Sequence, residues 1–139
     1  MQIFRNEAAK ALVDLLNRSE SRNSVIVLSP SGLLGGFWRV VKRDSGITVV
    51  LTDKPENILE RLRFYDIDTQ LIDMELTAEE KKYYLKDLKK DITYFKVSYK
   101  RADLQVDISG LNPDQSARKV IEIVGEFKRK RQMVNPLRT

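Results

Sequence analysis

The turn Ser29-Pro30-Ser31-Gly32 contains the first residues whose chemistry suits a ligand. It follows a short apolar run, and in open α/β sheets ligands bind where parallel strands end. The hydroxyls of Ser29 and Ser31 and the amide of Gly32 can hold an anion at such a place. A plain strand-to-helix turn explains the same residues and is the favoured interpretation. The three positions are therefore candidate ligand-binding residues and nothing more specific.

The sequence lacks the two side chains that most often do chemistry near neutral pH. Its 139 residues include no cysteine and no histidine, which excludes disulfides, thiolate metal sites, cysteine nucleophiles and an imidazole base. None of its six glycines is followed by lysine, so the phosphate-binding motif Gly-x-x-x-x-Gly-Lys-[Ser/Thr] does not occur in it. We therefore predict no phosphoryl transfer by this chain alone and assign no catalytic residue.

The acidic pair Asp66-x-Asp68 has a spacing that magnesium sites use. Asp73 and Glu75 follow closely and make the whole stretch 64–76 acidic, without a regular apolar period. Such a stretch is typical of a mobile surface segment. We therefore predict no metal site.

Aromatic residues and lysines alternate in the second half of the chain. Such surfaces can bind single-stranded nucleic acid by base stacking and phosphate contacts. At helical spacing, however, Tyr84, Leu88 and Phe95 bury one face while the lysines solvate the other, and this interpretation is favoured. Nucleic acid is thus an alternative partner. The row comprises Tyr83, Tyr84, Tyr94, Phe95 and Tyr99 with Lys86, Lys89, Lys90, Lys96, Lys100 and Arg101.

Length and composition are those of one globular domain, with 42% hydrophobic and 32% charged residues. No apolar run is long enough to cross a bilayer and the first residues lack the layout of a signal peptide, so we expect a cytoplasmic protein with no membrane partner. The net charge is +5, and much of it lies in a predicted basic tail, 129–139, after a domain at 1–128. The cations near this end are Lys128, Arg129, Lys130, Arg131 and Arg138.

Strands and helices alternate in the predicted order of elements. The apolar, β-branched runs at 24–28 and 47–51 predict buried parallel strands, and the alternation at 104–108 predicts a third. Apolar residues at helical spacing predict helices before and between them. Asp53 with Glu56 and Thr77 with Glu80 have the spacing of capping boxes, and Pro113 suits the first position of a last helix. This pattern predicts a three-layer α/β fold with a parallel sheet.

In order and spacing, these segments resemble the shikimate kinase family of P-loop kinases, from residue 3 to residue 127. The start Phe4-Arg5 resembles the family's helix that holds the shikimate carboxylate, which implies that Arg5 binds substrate. The run before Ser29-Pro30-Ser31 is similar to the strand that leads into the family's triple-glycine loop. Here three non-glycine residues replace the loop, and proline removes one amide.

The best local match is 49–62, which resembles a strand and helix of the family and puts Arg61 on the arginine that stacks against adenine. Asn112-Pro113 is similar to the turn whose proline covers adenine. The family's lid has an arginine that 64–76 lacks, and Tyr94 stands where a second substrate arginine is expected. The resemblance thus implies cofactor-binding roles for Arg61 and Pro113, and ATP with magnesium as the only cofactor to consider.

The predicted function is therefore a degenerate or truncated shikimate kinase-like protein that retains a nucleotide edge. One alternative is a basic module that binds protein or nucleic acid, and another is an active shikimate kinase completed by an N-terminal piece. In the family's strand order, a strand that this sequence lacks lies between 24–28 and 47–51. We expect these two strands either to pair directly or to receive a strand from another chain, including a second copy.

Overall fold

The chain is mixed α/β, as predicted. The computed structural model describes the backbone of residues 2–30, 34–43 and 46–134, and the side chains of these ranges from residue 6 onward. The three-layer arrangement stays a prediction. The helices are α1 (Gln2–Leu16), α2 (Gly35–Arg43), α3 (Pro55–Arg61), α4 (Ala78–Tyr99) and α5 (Pro113–Val134), with a 3-10 turn at Ser19–Ser21, and the strands are β1 (Val49–Thr52), β2 (Phe64–Tyr65), β3 (Leu71–Ile72) and β4 (Leu104–Asp107).

Strands β1 and β4 pair in parallel. β4 lies within the stretch predicted at 104–108, and β1 overlaps the stretch predicted at 47–51 but ends one residue later. At the amino ends of the two strands, the Leu104 amide donates to the Thr48 carbonyl oxygen at 3.1 Å, and the Asp103 carboxylate accepts from the Thr48 amide at 2.9 Å. At the carboxyl ends, the Ile108 amide donates to the Thr52 carbonyl oxygen at 2.9 Å. This register brings the carboxyl ends of both strands to the same edge.

The described chain divides into two compact units. The first comprises 1–49 and 95–104 and contains α1 packed against α2, with Leu12 buried. In this unit the Arg101 guanidinium lies over the Trp38 ring, 5.6 Å from its centroid. The Phe95 and Tyr99 rings stack with centroids 5.7 Å apart.

The second unit comprises 50–94 and 105–139, with Val50 and Val106 buried. Here the acidic segment, predicted to be irregular, forms a short antiparallel hairpin of β2 and β3. Asp66 makes its turn, because its Oδ1 accepts the amides of Asp68 and Gln70, each at 2.9 Å. One hairpin ring packs on α4, with Phe64 and Tyr84 centroids 5.5 Å apart.

Helix ends confirm two of the sequence signals and correct one other. Thr77 and Glu80 form the predicted capping box, with the Glu80 amide donating to Thr77 Oγ1 at 3.2 Å. Pro113 is the first residue of α5. The predicted box of Asp53 with Glu56 is wrong, because Lys54 is the N-cap of α3 and makes no side-chain cap hydrogen bond. The predicted tail is helical as far as Val134, and 135–139 lie outside the described residues.

The strand predicted at 24–28 does not form. Val25 and Val27 are 93% and 90% exposed, and β1 pairs with β4 instead of this segment. A strand exists only through its hydrogen-bonding neighbour, and the described part of the chain provides none here. Direct pairing with 47–51 is therefore wrong for the single chain, whereas a strand from another chain stays a prediction.

None of the described helices combines the length and the apolar character needed to cross a membrane.

Candidate functional site

The carboxyl ends of β1 and β4 hold two acidic residues. Asp53 follows the last residue of β1, and Asp107 is the last residue of β4. Because the strands are parallel, both carboxylates belong to the edge where α/β sheets bind ligands. The two acids and the polar groups that hold them form the carboxyl-edge cluster, which comprises Asp53, Asn57, Arg61, Asp107, Ser109 and Lys119.

Asp53 is the most enclosed charge of the carboxyl-edge cluster, with 2% of its side chain exposed. Its Oδ1 accepts the Lys54 amide and Asn57 Nδ2, each at 2.7 Å. Its Oδ2 forms an ion pair with Arg61 Nη1 at 2.5 Å. Both carboxylate oxygens are thus satisfied by residues within the first two turns after β1.

The environment of Asp53 favours its charged form. Burial acts to raise the pKa, but hydrogen bonds from Asn57, Arg61, the Lys54 amide and the Ser109 hydroxyl outweigh burial and lower the pKa of Asp53 to about 2. The carboxylate therefore stays ionised throughout the physiological range. It holds the Arg61 guanidinium at the edge of the sheet.

Asp107 forms the second half of the carboxyl-edge cluster. Hydrogen bonds from the hydroxyl of Ser109 and then from its amide lower the pKa of Asp107 below its usual value, and the Lys119 charge acts in the same direction. The amide contact is 2.9 Å, and Lys119 Nζ donates to the Asp107 carbonyl oxygen at 2.5 Å. The Ser109 hydroxyl is close enough to Asp53 to lower its pKa as well, so its one proton can be donated to either carboxylate.

The structure places both predicted cofactor-binding residues on segments that follow the paired strands. Arg61 ends α3, and its side chain is 49% exposed while it pairs with Asp53. Pro113 begins α5, directly after Asn112, whose Oδ1 accepts the Gln115 amide at 2.8 Å. The guanidinium of Arg61 is thus fixed by one partner and still open to a ligand.

The predicted substrate-binding residues lie elsewhere and largely outside the described part. Arg5 is in α1, but its side chain is not among the described ones, and Ser31 and Gly32 lie outside the described residues. Ser29 is exposed at the end of the run that follows the 3-10 turn. The structure therefore neither assembles nor separates this group.

Sequence reasoning missed Asp53, Asp107, Ser109 and Lys119 as site residues. The available signal was an aspartate near the carboxyl end of two of the three predicted strands, 47–51 and 104–108, and the first of these aspartates was assigned to a capping box. No group of three or more acidic residues in the described ranges is arranged to hold a metal ion.

A second polar surface lies on α4. It is a groove of about 730 Å³. One residue of this groove, Tyr94, belongs to the aromatic row of the sequence analysis, and it is exposed. The lining residues are Lys82, Leu85, Lys86, Lys89, Lys90, Thr93 and Tyr94. Four ammonium groups with an apolar floor and an exposed ring form what we term the lysine groove.

Comparison with known proteins adds no relative: the chain matches no family model, no curated protein and no solved structure.

Proposed function

We propose that this chain is a diverged shikimate kinase-like domain that binds the adenine edge of a nucleotide and does not phosphorylate shikimate by itself. One observation carries the proposal: Asp53 holds the half-exposed Arg61 guanidinium at the carboxyl edge of a parallel strand pair. The three-layer fold is part of the same proposal. The resemblance of 49–62 to the family's strand and helix supports it.

Arg61 suits adenine because a guanidinium is planar and stacks on aromatic faces. Its ion pair with Asp53 fixes the plane before a ligand arrives, so less side-chain entropy is lost on binding. Pro113 supplies an apolar ring that needs no hydrogen-bond partner, as a cover for a base requires. These two residues bind the base and make no contact with the phosphates.

Phosphate and substrate recognition are the parts that this chain lacks. Its sequence has no phosphate-binding motif, and no arginine occurs in 64–76. The resemblance puts Ser98 where the family has a tyrosine. Ser98 is buried, with its hydroxyl donating to the Phe95 carbonyl oxygen at 2.8 Å. A nucleotide bound only through its base is expected to bind weakly and to undergo no transfer.

The carboxyl-edge cluster does not fit a magnesium ion. Magnesium prefers an octahedron of oxygen ligands that are free to coordinate. The Asp53 oxygens accept from Lys54, Asn57 and Arg61, and Asp107 accepts from Ser109. No step of the proposed function therefore uses a metal at this edge.

Calorimetry with adenosine, ADP and ATP tests the nucleotide proposal. We expect all three to bind with similar affinity, because the base supplies the contacts. Arg61→Lys keeps the charge but removes the stacking plane, so it should weaken binding about tenfold. Arg63→Lys is the matched control, since Arg63 is exposed two residues later and donates to its neighbour's carbonyl oxygen, Leu62, at 3.0 Å.

Three results would contradict this assignment. The first is the absence of adenosine binding, and the second is binding that Arg61→Lys leaves unchanged. The third is tight binding or turnover of shikimate, which would favour an active kinase. The alternative of a kinase completed by an N-terminal piece predicts activity once a polypeptide with a phosphate-binding loop is added, and the diverged-domain proposal predicts none.

The lysine groove supports a second candidate function, the binding of single-stranded nucleic acid. Lys82, Lys86, Lys89 and Lys90 line it together with the exposed Tyr94. Phosphate contacts release counterions, so the affinity should fall steeply with salt. The tyrosine offers a stacking face to a base.

Fluorescence anisotropy with a labelled oligothymidine, measured over a range of salt concentrations, tests this function. Lys86→Glu with Lys89→Glu should abolish most binding and flatten the salt dependence. Lys81→Glu with Lys96→Glu changes the net charge of the same helix equally but outside the groove. If both pairs weaken binding alike, the attraction is a general charge effect and the groove has no role.

A further inference from the structure

Two exposed tyrosines lie along the same flank of the lysine groove. Tyr94 lines the groove, and Tyr83 lies about three helical turns earlier, so the two side chains leave α4 in nearly the same direction. The two residues are 64% and 63% exposed. Their positions are about 16 Å apart along the helix axis, at an α-helical rise of about 1.5 Å per residue. The flank therefore presents two aromatic rings at a spacing that the helix sets.

The ring of Tyr83 is held in place by its neighbours. It meets the Tyr84 ring edge to face, with centroids 5.8 Å apart and ring planes at 78°. Tyr84 in turn packs against Phe64 of β2, with centroids 5.5 Å apart. A side chain that is fixed before a ligand arrives loses less entropy on binding. Tyr83 is thus a better stacking partner for a base than a freely rotating ring would be.

The lysines of the groove have no acidic partner. Lys82, Lys86 and Lys90 follow one another at a spacing of four residues, which puts their ammonium groups on one face of α4. None of the groove lysines forms a side-chain hydrogen bond or an ion pair within the described part of the chain. Like charges at this spacing repel each other, and a bound polyanion offsets the repulsion. The face therefore favours a ligand with several negative charges in a row.

We propose that a short single strand of nucleic acid lies along α4, with its phosphates on the lysine row and one base stacked on each of Tyr83 and Tyr94. The proposal rests on the second candidate function and adds to it Tyr83 and the path of the strand. Phosphates of a stacked strand are about 3.4 Å apart along its axis, so the two rings span about five nucleotides, and fewer in an extended strand. A duplex does not fit, because its bases already stack on one another. Every base has an aromatic face, so no strong base preference is expected.

Fluorescence anisotropy with labelled oligothymidines of increasing length tests the path of the strand. The affinity of the wild type should rise until the strand has about five nucleotides and change little beyond that length. Tyr83→Leu removes one stacking face and keeps an apolar side chain, so it should weaken binding of the longer strands about tenfold. Tyr83→Phe keeps the ring and should bind as the wild type does. Tyr65→Leu is the matched control, because Tyr65 is 60% exposed on β2 and outside the lysine groove.

The outcomes separate the path of the strand from the function on which it rests. If no oligothymidine binds, the second candidate function is wrong, and the proposed path with it. If Lys86→Glu with Lys89→Glu abolishes binding but Tyr83→Leu leaves it unchanged, the groove binds phosphates alone and the two-ring path is wrong. Equal affinity for an oligothymidine and for a strand of the same length without bases also overturns the path. Circular dichroism verifies folding, and should Tyr83→Leu unfold the chain, Tyr94→Leu makes the same test at the other ring.

Discussion

Asp53 holds a charge that is almost closed off from water yet hydrogen-bonded through both of its oxygens. A buried carboxylate without partners would take up a proton, whereas charge-assisted hydrogen bonds keep it ionised. Its contacts with Asn57 and Arg61 tie the first and last parts of α3 to the end of β1. The residue thus contributes both to stability and to the position of the candidate ligand-binding arginine.

We predict that Asp53→Asn lowers the free energy of unfolding at neutral pH by about 1–3 kcal/mol, because the change leaves Arg61 without its anion. The pKa of Asp53 falls from 3.8 to about 2 on folding. A lowered pKa adds stability that is complete above 3.8 and is lost as the pH falls towards 2. Urea unfolding should therefore show the two proteins converging in acid.

Asp68→Asn is the control for Asp53→Asn, because Asp68 is an exposed acid in the hairpin turn. It should change neither the stability at neutral pH nor its decline in acid. If the free energy of unfolding falls equally in acid for the wild type and for Asp53→Asn, the Asp53 charge does not stabilise the fold.

The elements differ in how well the sequence predicted them, and the difference follows the range of the interactions involved. The start of α4 depends on Thr77 and Glu80, three residues apart, so the pattern alone was sufficient. Pro113 at the start of α5 is likewise a local signal. The segment 24–28 has a strand's composition but no hydrogen-bonding neighbour among the described residues, and no local sequence pattern reports such an absence.

The candidate site was predictable in part for the same reason. Arg61 was chosen by resemblance over a contiguous stretch; the structure pairs it with Asp53, and its cofactor-binding role stays a prediction. The Ser109 contact with Asp53 depends on the pairing of β1 with β4, which are more than fifty residues apart. The hairpin β2–β3 was missed because its strands have two residues each, too few to show a period.

At the scale of the whole molecule, the described residues bury little apolar surface. Leu12 lies in one unit and Val50 and Val106 in the other, and these are the buried apolar side chains. The free energy of unfolding of a folded protein is only about 5–15 kcal/mol. In a chain with a small core, each buried apolar side chain therefore contributes a large fraction of it.

Val106→Ala is the prediction that tests the importance of this small core. Val106 is 1% exposed in the middle of β4, and removing two buried methyl groups should lower the free energy of unfolding by about 1–3 kcal/mol. Val97→Ala makes the same chemical change at an exposed position of α4, so it should have an effect of about 0.5 kcal/mol or less. Urea unfolding of both variants measures the contrast. Equal effects at the two positions would show that β4 is not part of a core that stabilises the fold.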